Sequence, residues 1–262
     1  MKRYHAILTV TIVMALTAFT TSCQDYDDDQ EFLSNVDMAY NATLATLVEP
    51  NFPAGVATIK KDNEEYAYVV NPGILSQYGI QHAGDRMFCR YIGVESPAGA
   101  QDSRAPYIRI TELQQILTKD IDILTDTETD VYGNDGINCI AHHLGKEYLT
   151  LQFQIYGSNT GIKHRISLVA KEGDMPDKDG LLAVELRHNA EGDGMVFMGR
   201  PGYVSFSLAG APGYDEGTLK GFKITYRSIS DGKRTVTISY VDTKALQNFP
   251  FAQETWSNTK IK

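Results

Sequence analysis

Alternation of apolar and polar residues with a period of two runs through most of the chain, and it predicts strands. Across residues 148–156, Leu149, Leu151, Phe153 and Ile155 share one face, and Thr150, Gln152 and Gln154 share the other. Residues 163–170 repeat the pattern with Ile166, Leu168 and Ala170. Between them, Gly157-Ser158-Asn159-Thr160-Gly161 is a polar loop with two glycines and predicts a hairpin. Leu182, Val184 and Leu186 mark a strand over 181–188, and Val204, Phe206 and Leu208 mark another. Phe222, Ile224 and Tyr226 precede Asp231-Gly232, and Val236, Ile238 and Tyr240 follow it. Asp-Gly between two alternating runs is a strong hairpin signal.

The first half alternates less regularly. Candidate strands cover 42–48, 55–60, 65–70, 86–94 and 107–111. Five strands in such a short stretch suit a small barrel. Residues 113–117 fit either a short helix or a strand running on into a linker. The polar, acidic stretch 118–130 leads into the turn cluster Tyr132-Gly133-Asn134-Asp135-Gly136, where a domain boundary is expected. The pattern therefore predicts an all-β protein. A small β-barrel over 36–120 is followed by an antiparallel β-sandwich over 121–245. A tail, 246–262, carries the single tryptophan, Trp256.

The beginning of the chain reads as an address. Lys2 and Arg3 precede an uncharged, mostly apolar run over residues 6–19. That run is shorter than the ~20 residues a membrane-spanning helix needs, and it fits a secretory signal over 1–22. Thr20-Thr21-Ser22-Cys23 resembles a bacterial lipobox, with Thr20 departing from the usual leucine. Cys23 is then the lipidation site and the membrane partner is reached through its acyl chains, each buried methylene contributing about 0.8 kcal/mol. The alternative is an ordinary cleaved signal with Cys23 as a bystander. Gln24, Asp25, Asp27, Asp28 and Asp29 open an acidic tether over 23–35. As a solvated, self-repelling spacer it holds the body off the membrane. It also resembles the surface-export signal of Bacteroidetes lipoproteins. The expected location is the outer membrane, at the cell surface, with retention on the periplasmic leaflet as the alternative.

Charge and composition narrow the partners. The 262 residues carry a net charge of -9, and cleavage before Cys23 removes two further positive charges. Such a chain is a poor match for a phosphate backbone, so no nucleic acid partner is expected. With 42% hydrophobic residues the chain is not disordered. Cys89 and Cys139 either pair or remain buried thiols; Cys89 shares a strand face with Met87 and Tyr91.

No catalytic residues, metal ligands or cofactors are assigned. His142 and His143 are adjacent and so point to opposite faces of a strand, and no His-Glu-x-x-His or Cys-x-x-Cys occurs. In 174–180, Asp177, Asp179 and Gly180 have the spacing of a calcium loop, but Met175 occupies the first ligand position. Gly-x-Ser-x-Gly and phosphate-loop patterns are absent. His188 continues the stripe of Leu182, Val184 and Leu186, as a satisfied core histidine does. Arg187 lies on the opposite face beside Glu185, where an ion pair is expected. Tyr66, Tyr68, Phe88, Tyr91 and Tyr107 are candidate rings for stacking sugars, with core packing as the competing explanation.

The second half resembles the NigD-like lipoproteins of Bacteroidetes. The resemblance rests on Tyr148-Leu149-Thr150-Leu151-Gln152-Phe153-Gln154-Ile155-Tyr156-Gly157 and on 164–169. It continues through Glu185-Leu186-Arg187-His188-Asn189-Ala190-Glu191-Gly192-Asp193. Arg187, His188 and Asn189 form its most specific part and read as structural rather than catalytic. The resemblance implies an OB-type barrel ahead of the sandwich. It assigns no catalytic residues, and the expected role is a lipid-anchored envelope protein, a non-enzymatic binding or accessory module with a protein or glycan ligand. A bacteriocin-associated immunity or inhibitor protein and a surface glycan binder are the alternatives.

Overall fold

The computed structural model describes residues 41–50, 55–97, 104–125, 131–158, 161–194, 197–240 and 262. Cys23, the tether residues Gln24, Asp25, Asp27, Asp28 and Asp29, and Trp256 lie outside the described residues. In chain order the elements of the first half are β1 (Asn41–Glu49), β2 (Ala57–Lys61), β3 (Tyr66–Val69), α1 (Gly73–Gln77), β4 (Arg86–Val94) and β5 (Tyr107–Asp120). There follow β6 (Asp122–Leu124), β7 (Ile137–Leu144), β8 (Tyr148–Gly157), β9 (Arg165–Lys171) and β10 (Leu181–Asn189). The last strands are β11 (Phe197–Ser207), β12 (Gly221–Ser228) and β13 (Gly232–Ser239).

The first five strands run β3-β2-β1-β4-β5, and β3 also pairs with β5, so they close into a ring. Alternation sends Ala57, Ile59, Ala67, Val69, Met87, Cys89, Ile108 and Ile110 into its interior. The stretch 113–117 is strand, and so is the polar 118–120. The end of β5 pairs in parallel with β11, from Val204↔Leu117 to Ser207↔Asp120. Backbone pairing decides this stretch, because its burial is only partial. One sheet therefore continues from the ring through β5, β11, β8 and β7. The second sheet has the order β13-β12-β10-β9-β6. The described residues from 42 onward form one compact unit.

The sandwich core lies between the two sheets. Leu149, Leu151, Phe153 and Ile155 face Ile166, Leu168, Leu182, Val184, Leu186, Phe222 and Ile224. All of these are nearly or fully buried, and each contributes about 1.5–3 kcal/mol relative to exposure. The other face of β8 is covered too: Thr150 is 0% and Gln152 2% exposed. A small core of Leu44, Phe88, Ile116 and Tyr203 fills the space between ring and sheet. Lys119 reaches across the sheets, donating from Nζ to Ile166 O at 2.7 Å.

Two expectations are corrected. The loop over 157–161 does not close a hairpin, because β8 pairs with β7 and β11 while β9 belongs to the other sheet. Both strands need a buried face, and crossing between sheets satisfies both. The sandwich is also not purely antiparallel, since β10 pairs with β12 and β6 with β9 in parallel. Two crossovers explain the first case. The chain leaves β10, runs through β11 in the opposite sheet and returns as β12 beside β10. The Asp231-Gly232 hairpin joins β12 and β13 as expected, with Gly232 at φ +72°.

Candidate functional site

The side chains that distinguish this chain gather at the end of β10, where a loop over 131–136 wraps the strand. Strand alternation directs Arg187 and Asn189 outward and His188 inward, and all three reach the same loop. Arg187 donates to Gly133 O at 3.2 Å, and Asn189 donates to Val131 O at 3.1 Å. His188 Nδ1 lies 2.9 Å from Gly136 O. Backbone completes the clasp: Ala190 N donates to an Asp135 carboxylate oxygen at 2.8 Å, and Asp135 N donates to His188 O at 2.8 Å. Gly133 lies at φ +64°, and a Cβ there would sit 2.6 Å from Asn189 Cβ and 2.8 Å from His188 O. The loop approaches the strand too closely for any other residue. As expected, Arg187 also pairs with Glu185, donating from Nε at 2.6 Å.

Inside this clasp is a buried chain of polar groups. His164 Nδ1 is 2.9 Å from His188 Nε2, and His164 Nε2 is 3.0 Å from Asp193 Oδ2. Asp193 also accepts from Ser158 N at 2.7 Å and from the Ser158 hydroxyl. The carbonyl of Gly136 can only accept, so His188 carries its proton on Nδ1 and offers a lone pair at Nε2. His164 Nδ1 then donates to it. One further proton lies in the contact between His164 Nε2 and the Asp193 carboxylate. Burial pushes the His188 imidazole down to about 4, in keeping with a neutral ring. The order Ser-Asp-His-His is not that of a nucleophile on a base, because the serine hydroxyl bonds the carboxylate rather than an imidazole. The chain instead ties the crossing loop after β8 to the turn after β10. Asp135, Gly136, Tyr156, His188, Ala190 and Asp193 border a pocket of about 280 Å³.

On the outer face of the second sheet lies a groove of about 340 Å³, bordered by Glu185, Arg187, Thr225, Arg227, Lys233 and Asn134. Arg227 donates to Asn134 O at 3.1 Å, so the same loop that clasps β10 closes one end of the groove.

A second buried polar cluster joins the ring to the long sheet, and sequence reasoning missed it. The Arg86 side chain is 0% exposed and makes a two-pronged contact with Asp62, at 2.5 and 3.0 Å. Its other N–H groups donate to Thr46 Oγ1 at 3.1 Å, Thr150 Oγ1 at 3.1 Å and Ser205 Oγ at 3.4 Å. The guanidinium stacks on Tyr148, 4.1 Å from the ring centroid. All five of its donors are thus used. His143 Nε2 lies 3.7 Å from the Asp62 carboxylate, and burial holds its imidazole below the usual range. The only sequence signal was that Arg86 shares a strand face with Phe88, which turns out to be fully buried.

The aromatic candidates separate. Phe88 belongs to the core between ring and sheet, and Tyr91 packs against the ring interior. Tyr68 and Tyr107 meet on the outside of the ring with centroids 5.1 Å apart, and Tyr66, 47% exposed, lies two residues from Tyr68 on the same face. Cys89 and Cys139 are free thiols in different cores, and burial pushes both up to about 12. Asp177 accepts from the backbone of Asp179 and Leu181 and pairs with Lys223, so 174–180 is a tied turn. Among the described residues no group of three or more His, Cys, Asp or Glu is placed to hold a metal ion. Among them, too, no helix is long and apolar enough to cross a membrane.

The fold and its clasped loop define an all-β protein in which a ring of strands shares its sheet with a sandwich. Residues 120–240 match the NigD-like C-terminal beta sandwich domain. Similar folds occur in a protein of unknown function from Bacteroides vulgatus, with a TM-score of 0.63 and 22% identity over 85% of this chain and 100% of that one. A candidate lipoprotein from Bacteroides fragilis has a TM-score of 0.55 and 12% identity over 77% and 98%. A NigD-like immunity protein from Bacteroides caccae has a TM-score of 0.52 and 18% identity over 82% and 98%. Comparison with curated proteins yields no match.

Proposed function

We propose that this chain is a lipid-anchored protein of the cell envelope, carried on the outer membrane and facing the cell surface, where it acts as a non-enzymatic binding or accessory module. One observation carries the reading. The residues that look most like chemistry, His164, His188, Asp193 and Arg187, spend their hydrogen bonds on holding loops, while an open charged groove lies beside them. Such a site presents a surface rather than a reacting group. The five-stranded ring, in the order β1-β2-β3-β5-β4 with a short helix between β3 and β4, we read as OB-type. The anchor rests on Cys23 and its preceding small residues, and the surface location on the acidic residues behind it. The candidate-lipoprotein and immunity-protein relatives of the same fold agree with an envelope role.

The test is lipid labelling followed by protease treatment of intact cells. Cys23→Ala is expected to abolish labelling and release the protein from membranes. Loss of the protein on shaving supports the surface reading; protection until lysis moves it to the periplasmic leaflet. Two alternatives have support of their own. Net charge -9 suits inhibition of a basic toxin, and a salt-sensitive complex would favour that role. The Tyr66, Tyr68 and Tyr107 cluster suits stacking of a glycan on the ring.

A further inference from the structure

The outer face of the second sheet carries charge in an order that needs an explanation. Arg227 pairs directly with Lys233 across β12 and β13. Arg187 stands one residue beyond the Leu186↔Tyr226 pair, in line with Arg227. Three cations therefore occupy one cross-strand row, on a chain whose net charge is -9. Like charges directly opposite on a sheet face oppose folding. Two of the three are held in place by the clasping loop, Arg187 on Gly133 O and Arg227 on Asn134 O. Arg187 is partly neutralised by Glu185, but no acidic partner meets Arg227 or Lys233 among the described residues. Arg227 uses one of its five N–H groups on Asn134, leaving a planar fork for a carboxylate or sulfate.

The adjacent row supplies the complement. Glu185, Thr225 and Thr235 are register neighbours, and the two threonine hydroxyls lie 3.1 Å apart. That row offers one carboxylate acceptor and two hydroxyls beside the cations. The groove holds about 340 Å³, within the range of small-molecule sites.

We propose that this groove binds an acidic sugar residue, a sugar acid or a sulfated sugar. Its oxyanion lies on Arg227 and Lys233, with Arg187 behind. Its hydroxyls lie on Thr225, Thr235 and Glu185. The inference deepens the binding-module reading and names its ligand class.

The test is amide-resolved NMR titration of the full chain with galacturonate, trigalacturonate, glucose, inorganic sulfate and hexaglutamate. Galacturonate and its trimer are expected to shift amides of 185–187, 225–227 and 233–235, glucose to shift none, and added salt to weaken binding. Arg227→Gln and Lys233→Gln are each expected to weaken binding about fivefold to tenfold, from the loss of one nearby charge. Both positions are exposed, and an unchanged spectrum elsewhere verifies the fold. Glu185→Gln keeps an acceptor for Arg187 while removing the competing charge. It should tighten sulfate binding about threefold or more, a gain that misfolding cannot mimic. No shift in these strands, equal binding by Arg227→Gln, or hexaglutamate outcompeting trigalacturonate overturns the proposal. Such a failure leaves the anchor to stand or fall on Cys23.

Discussion

Replacing Asp62 by Ala leaves the Arg86 guanidinium in the protein interior without its counter-charge. Arg86 is 0% and Asp62 5% exposed, so water does not take over the lost contacts. Breaking one side of a buried ion pair costs about 3–5 kcal/mol. The hydroxyls of Thr46, Thr150 and Ser205 and the Tyr148 ring remain around the charge, which favours the lower part of that range. A loss of about 3–4 kcal/mol is a large share of the ~5–15 kcal/mol that holds a domain together. For a unit of this size it lowers the melting temperature by about 6–15 °C. The assay is urea unfolding followed by far-ultraviolet circular dichroism, on the wild type, Asp62→Ala, Arg86→Met and the double variant. The double variant removes both charges, so its loss should fall about 2 kcal/mol or more short of the sum of the single losses. A loss below about 1 kcal/mol for Asp62→Ala, or additive singles, would refute the view that this pair joins ring and sheet.

Gly133→Ala forces a left-handed backbone on alanine and pushes its Cβ into Asn189 and the His188 carbonyl; a loss of about 2–4 kcal/mol is expected, measured by thermal unfolding, and a neutral effect would mean that the loop stands off β10. The low His188 value sets a pH dependence: the unfolded chain takes up a proton near 6.5 and the folded one near 4, so stability falls as pH drops through that window, by about 3 kcal/mol in all, and His188→Gln should flatten that slope in melting curves. Asp193→Ala strips the buried His164 and the Ser158 backbone of their shared acceptor and should cost about 2–4 kcal/mol, with amide exchange at Ser158 accelerating first.

Much of the fold was legible because alternation needs no partner to be recognised. The 149–155 stripe, the 182–186 stripe and the Asp231-Gly232 turn each declare themselves within a few residues. What stayed hidden depends on pairing between distant segments. Nothing local shows that β5 leaves the ring to pair with β11, so 113–117 fits helix or strand alike and 118–120 reads as linker. Gly157 to Gly161 has the composition of a hairpin, yet composition does not say whether the next strand stays in the same sheet. The buried Arg86 cluster was illegible for the same reason. Thr150 and Gln152 look like a solvent face until the ring is placed over them. Arg187 beside Glu185, and His188 as a satisfied core residue, were readable because both depend on strand parity alone. That three consecutive side chains clasp one loop was not.

The clasp gives Arg187-His188-Asn189 a structural task that accounts for its prominence. On a regular strand, neighbouring residues serve opposite faces and cannot share a partner. Here they do, because 131–136 folds around the strand end and meets both faces at once. Arg187 and Asn189 take carbonyls from outside, and His188 takes one from inside. Each position then needs a donor of a particular length, and Gly133 must lack a side chain. Geometry alone is enough to make such a sequence specific. The arrangement still has a functional consequence. The loop that the three residues hold is the one whose Asn134 carbonyl orients Arg227 at the groove. A change at His188 or Gly133 should therefore weaken anion binding although neither faces the groove, whereas Arg227→Gln should weaken binding and leave stability nearly untouched. That separation distinguishes a loop that positions a site from one that merely closes the sandwich.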